Sequence, residues 1–353
     1  MSEALALNQN IHIEQSSHVV VEKTKRIVGL DFLRSALMLL GIPYHAGLVF
    51  SGYWIYTASA QQGNTVFSLF SSVSHVFRMQ LFFLLAGFFT QLVMSRKGVE
   101  HFIKSRIYRV FLPFFIFYMA FNLVCAVFVG QESYWRNAFL GHFWFVYVLM
   151  AYTALTILFK NKLHYICHMK LATFSCVSLG ALFLSYYMRQ EDFVFASLFA
   201  YLPYFIMGFI LYEKKDSVRL TSWYVIRQLV LFAALFTCQF IVARHLKHMP
   251  LAGFADQLVS FLTPIPLITL LFYFFYTIDM KPRKIIDIIV KSSFTIYLLH
   301  HPFIVMYAHF MNQFTLNSFA FYSFLVGMTA GTCYLLYFLL KKNSLMNRLL
   351  ALS

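Results

Sequence analysis

Residues 27–50 read IVGLDFLRSALMLLGIPYHAGLVF, and they decide what kind of molecule this is. At about 1.5 Å rise per residue, a run of about 20 apolar residues crosses a bilayer. This run nevertheless carries Asp31, Arg34 and His45. Ionisable groups within a span are costly and mark function by default. A spacing of three makes Asp31 and Arg34 neighbours on a helix, able to neutralise each other. Steps of 4, 7 and 11 residues from Arg34 reach Met38, Gly41 and His45. One face therefore holds a charged pair, a small-residue gap and a histidine about 16 Å further along. Pro43 removes a backbone donor just before His45 and should loosen the helix there.

The remainder of the chain has the same character. Of its 353 residues, 60% are hydrophobic and only 12% are charged, with a mean hydropathy of +0.70. A soluble domain carries about 25% charged residues, so most of this surface must face lipid. The expected fold is an all-α polytopic membrane protein of about ten transmembrane helices. Apolar segments lie near 28–50, 70–94, 107–129, 142–159, 169–187, 197–212, 224–242, 257–277, 292–312 and 318–340. Residues 1–26 are polar and lack the apolar core of a cleavable signal, so they read as a disordered cytoplasmic tail, with the first span as an uncleaved start signal. Residues 27–341 form the membrane domain, and 342–353 a short cytoplasmic C-terminal tail. The five cysteines are scattered without a CxxC pair and read as small buried hydrophobes, so neither redox chemistry nor a metal site follows.

The formal charge of +15 raises the question of nucleic acid. Alternating the ten spans across the membrane answers it. Twenty-one Lys and Arg residues then fall on one side, and only Arg136, Arg189, Arg244 and Lys247 on the other. Lys and Arg collect on the cytoplasmic side, so both termini are expected there. No basic surface is left over for a nucleic acid. The outer loop at 51–69 is uncharged and holds Tyr53, Trp54 and Tyr56, which read as interface anchors or as a stacking surface for sugar rings.

Polar residues recur at matching depths. Span 2 carries His75, Arg78 and Gln80, with Arg78 about 12 Å below the outer boundary and so level with His45. An arginine there needs a partner or an aqueous cavity. Arg106 and Arg109 share a helix face by spacing, either as a solvated basic loop or as a grip for a phosphorylated ligand. His142 and Trp144 open span 4, where an aromatic belt accounts for Trp144. In span 9, His300 and His301 fall near the midplane. Adjacent helical residues diverge by about 100°, so one of the two at most is expected to face a given cavity. Tyr297 could hydrogen-bond to either.

Taken together, these blocks resemble the membrane-bound acyltransferase-3 family. The resemblance rests on Asp31, Arg34 and LMLLGIPYH ending at His45; FRMQ at 77–80; Arg106 and Arg109 with Pro113; HFWFV at 142–146; YLPYFIMG at 201–208; and SSFTIYLLHHP at 292–302. The resemblance is close to members that succinylate osmoregulated periplasmic glucans. It implies a multi-pass enzyme of the bacterial inner membrane, with no permanently bound cofactor, that draws a short acyl group from acyl-CoA, succinyl-CoA foremost. The acceptor would be a hydroxyl of a periplasmic glucan, and other proteins of glucan biosynthesis could be partners. His45, Arg78, Asp31 and Arg34 are then the catalytic candidates, and Arg106, Arg109 and Arg34 the candidates for holding CoA phosphates. His300, His301, Tyr297, His75, His142 and Trp144 are candidates for acceptor contact or proton relay. O-acetylation of another surface polysaccharide, or transport of glycan or acyl donor, stays open at this point.

Overall fold

The computed structural model describes residues 26–51, 54, 64–129, 141–189, 192–217, 219–245, 252–314 and 316–349. Residues 1–25 of the expected N-terminal tail, Tyr53, Tyr56, Arg136 and Lys247 lie outside the described residues. Of the described residues 88% are helical, and none lies in a strand.

Every one of the ten apolar segments is helical. The first is α1 (Val28–Leu39) followed by α2 (Gly41–Leu48), divided at Leu40. The break falls where the ring of Pro43 crowds the carbonyl of Leu39, four residues back, and leaves it without a donor. The second and third segments belong to α3 (Thr65–Arg106), a π-turn at Ile107–Phe111 and α4 (Leu112–Val129). Asn64 caps α3 by accepting a hydrogen bond from the Val66 amide at 3.0 Å, so this helix begins five residues before the expected segment. Inside α3, Gly98 adopts φ 79° and ψ 169°, a conformation side chains with a Cβ rarely take, and the helix kinks there.

The fourth segment is α5 (Trp144–Leu158), which bends by 73° into a short turn and α6 (Leu163–Cys167). Then follow α7 (Leu171–Met188), α8 (Phe193–Ala200) and α9 (Leu202–Lys214), the last two divided at Tyr201 ahead of Pro203. Next come α10 (Ser222–His245), α11 (Ala252–Leu262) and α12 (Pro264–Thr277), then the long α13 (Lys284–Met311) and α14 (Ser318–Lys342). A last short helix, α15 (Ser344–Leu349), occupies the expected C-terminal tail.

By length and composition, seven helical stretches can cross a membrane, or eight if the bent pair at α5 and α6 is one span. This count is below ten for local reasons. The stretch Thr65–Val124 counts once although it holds two expected segments, and the broken first segment yields helices of only 12 and 8 residues. A 60-residue helical stretch is about 90 Å long, three times the hydrocarbon thickness, and so is long enough for more than one crossing.

The centre of the bundle is built from α1, α2, α3, α9 and α13. Where α3 meets α9, a Cβ on Gly87 would collide with the carbonyl of Phe205 and one on Gly208 with that of Leu84. Only glycine permits this backbone approach, the means by which helices associate when lipid supplies no hydrophobic drive. Phe83, Phe88, Leu84 and Leu85 fill the space around it at 0% exposure. At the opposite extreme, none of the most apolar window of α10 is buried within the protein, as expected of a helix facing lipid.

Candidate active site

Four histidines from three separate segments meet in the core. The half-buried ring of His45, on α2, lies 4.7 Å from His301 and 5.3 Å from His300, both on α13. His142 comes from the single turn before α5, and its ring stacks on that of His301 at 4.5 Å with 4° between the planes. The same ring is 5.3 Å from His300 and 6.2 Å from His45. Trp54 closes the cluster, 5.2 Å from His301 and 6.2 Å from His45.

Both histidines of the pair therefore face one cluster, contrary to the expectation that one would turn away. Their divergence of about 100° places the two rings on either side of His45 and His142 rather than removing one of them. The side chain of Tyr297 bonds to neither imidazole. Its hydroxyl donates to the carbonyl of His142 and pins the turn before α5 to α13.

His300 has a defined tautomer. Its Nδ1 sits 2.6 Å from the carbonyl of Tyr297, which can only accept, so Nδ1 carries the hydrogen and Nε2 presents a lone pair. That Nε2 is buried without a hydrogen-bond partner among the described residues. His45 Nδ1 and both ring nitrogens of His142 are in the same condition. Unsatisfied buried polar atoms cost about 1–3 kcal/mol each, so several gathered at one place mark where a polar reactant belongs. Among the described residues no group of three His, Cys, Asp or Glu side chains has the geometry to hold a metal ion.

Arg78 adjoins this cluster from α3. It is 6% exposed, and its guanidinium carbon lies 4.3 Å over the ring of Tyr44, a residue the sequence reading had passed over. The Tyr44 ring meets His45 edge-on at 4.8 Å, while its hydroxyl is 3.3 Å from His75 Nδ1. Gly41 supplies the gap between the parts: a Cβ there would stand 3.0 Å from His300 Nε2 and 3.5 Å from Arg78 Nη1. Beside Arg78 and Tyr297 a cavity of about 10 Å³ remains, enough for one water. Trp144 packs on Tyr201 and Phe193 at 5.4 and 5.5 Å, apart from the histidines.

The other end of the site is cationic. Asp31 pairs with Arg26 at 2.7 Å and with Arg34 at 3.5 Å, and Arg26 also reaches Asp287 on α13 at 2.8 Å. Arg34 lies within repulsive reach of Arg106, which is half-buried and donates to Thr90 Oγ1 at 3.0 Å. The two arginines expected on one face differ in environment. Arg106 ends α3 and turns inward, whereas Arg109 falls in the π-turn, where the wider winding changes the register, and is exposed. Arg34 is the nearer companion of Arg106.

The chain belongs to the acyltransferase-3 family: the family's acyltransferase domain matches residues 27–338. Among its relatives is glucans biosynthesis protein C of Escherichia coli K12, 25% identical over 324 residues that cover 80% of this chain and 83% of the relative. The proteins of the same name from Escherichia coli O139:H28 and O17:K52:H18 match to the same extent. No solved structure matches the chain.

Proposed function

We propose that this acyltransferase moves a short acyl group, succinyl foremost, from acyl-CoA at the cytoplasmic end of the bundle to a hydroxyl of a periplasmic glucan at the other end. The membrane is the inner membrane of a bacterium, crossed ten times with both termini inside. Ten helical apolar segments and the uneven distribution of Lys and Arg support that topology. The relatives' name supports a glucan acceptor.

The observation that carries the reading is the position of His45: half-buried, with an unpartnered Nδ1, beside Arg78 and inside a ring of three further histidines. At the inner end Arg34 and Arg106 repel each other with Asp31 already shared by Arg26, which favours an anion such as the phosphates of CoA. The pantetheine arm then runs along α1 toward Gly41 and brings the thioester to the histidines.

His45 acts there as general base. A glucan hydroxyl oxygen attacks the thioester carbonyl carbon while imidazole takes the hydroxyl proton. Arg78 faces the oxygen that becomes negative in the tetrahedral intermediate. The intermediate collapses with cleavage of the C–S bond, and imidazolium returns the proton to the leaving thiolate. Ester and free CoA are the products, in equal amounts.

The test is His45→Ala in purified full-length protein supplied with succinyl-CoA and glucan. General-base removal costs about 10²–10⁴ in rate, so thiol release and ester formation should fall together by that factor while succinyl-CoA still binds. Esterification at a near wild-type rate would overturn the role of His45.

A further inference from the structure

A larger cavity, of about 360 Å³, opens between α3, α7, α8, α9, α10 and α11, with His75 on its wall. Its volume lies in the range of small-molecule sites, about 300–1,000 Å³. Three glutamines from three different helices line it: Gln80, Gln239 and Gln257. In each, the side-chain oxygen is buried and has no hydrogen-bond partner among the described residues. For Gln257, 9% exposed, the orientation is fixed, because its Nε2 donates to the carbonyl of Leu182 at 3.2 Å and that carbonyl can only accept. Gln239 is held by its Nε2, which donates to Ser260 Oγ at 2.8 Å, whereas the terminal amide torsion of Gln80 is broad and its oxygen can turn to meet a donor arriving in the cavity.

We propose that this cavity binds a saccharide unit of the acceptor, its hydroxyls donating to the three glutamines. The proposal rests on the acyltransferase reading above. The charged groups on the wall, Arg189 and Asp256, are opposite in sign, which suits a neutral ligand rather than a phosphate or a carboxylate. Tyr201 and Phe261 add aromatic surface for a sugar ring. The position fits as well. His75 lines the cavity, stacks on Tyr44 at 5.9 Å, and Tyr44 meets His45. One pair of side chains separates the cavity from the base, so a sugar held here presents its neighbour in the chain to His45. An acceptor of two or more sugar units is required to use both places.

The test is binding of short linear glucose oligosaccharides to detergent-purified full-length protein, with and without Gln257→Leu, and independently with Gln80→Met on another wall. A neutral hydrogen bond contributes about 0.5–1.5 kcal/mol, so each variant should bind the oligosaccharide between about twofold and tenfold more weakly, with free glucose little affected. Melting temperature monitors the lost Gln257 bond to Leu182, and Gln80→Met keeps the question open to disproof if Gln257→Leu does not fold. Equal binding by wild type and both variants, or no oligosaccharide binding by wild type because the cavity holds water only, overturns the proposal. Binding is read without turnover. Failure of this inference is therefore distinguishable from failure of the acyltransferase reading, which would show as absent thiol release.

Discussion

The Nε2 atom of His300 and the Nη1 atom of Arg78 meet across Gly41, which has no side chain to separate them. A Cβ at this position would lie 3.0 Å from the imidazole nitrogen, closer than most such contacts, so the ring of His300 would have to shift. In α2 itself alanine is favoured over glycine by about 1 kcal/mol. Gly41→Ala should therefore leave the melting temperature unchanged or higher while lowering kcat about tenfold, since small misplacements of reacting groups are costly in rate. Loss of folding together with activity would mean that Gly41 serves packing alone.

Arg78 makes a second case. If it stabilises the oxyanion, its replacement costs about 10²–10³ in kcat whichever acyl group is transferred. Arg78→Lys keeps the charge but loses the planar fork and its stacking on Tyr44, and should lose rate equally with succinyl-CoA and acetyl-CoA. A loss confined to succinyl-CoA would assign Arg78 to the free carboxylate of the donor instead. Full activity with both would remove either role.

At the other end, Arg106→Ala should raise KM for acyl-CoA by between about tenfold and 150-fold, the value of one charge-assisted contact to phosphate at about 1.5–3 kcal/mol. The same variant should use an acyl-pantetheine, which lacks the phosphates, as well as wild type does. An equal rise in KM for both donors would place the arginine in packing against Phe102, over whose ring its guanidinium lies at 5.1 Å, rather than in donor recognition.

Much of this was legible in the chain because membrane sequence has a coarse grammar. Apolar length locates the helices, and a charge inside one of them draws notice, which is how His45 and Arg78 were found at matching depth. Features that depend on which helix meets which were not legible. Tyr44 looked like one more aromatic among 43 phenylalanines and 22 tyrosines until Arg78 and His75 appeared against its two faces. Gln239 and Gln257 stand alone in their own segments and become a wall only when α10 and α11 close on α3. His300 and His301 diverge along α13 and still both face His45, because a cluster of rings can be approached from two sides at once. The broken first span had its signal in Pro43, whose effect falls on the preceding turn, at Leu40.

The central claim is that an acyl group crosses the bilayer through one site, entering beside Arg34 and leaving beside His45. Proteoliposomes with glucan sealed inside and succinyl-CoA added outside test it most directly. In vesicles whose protein presents the Arg106 end outward, the account predicts free CoA outside and O-succinyl glucan inside in equal amounts, both abolished by His45→Ala. Ester formed only when donor and acceptor share a compartment, or glucan carried across without thiol release, would contradict it.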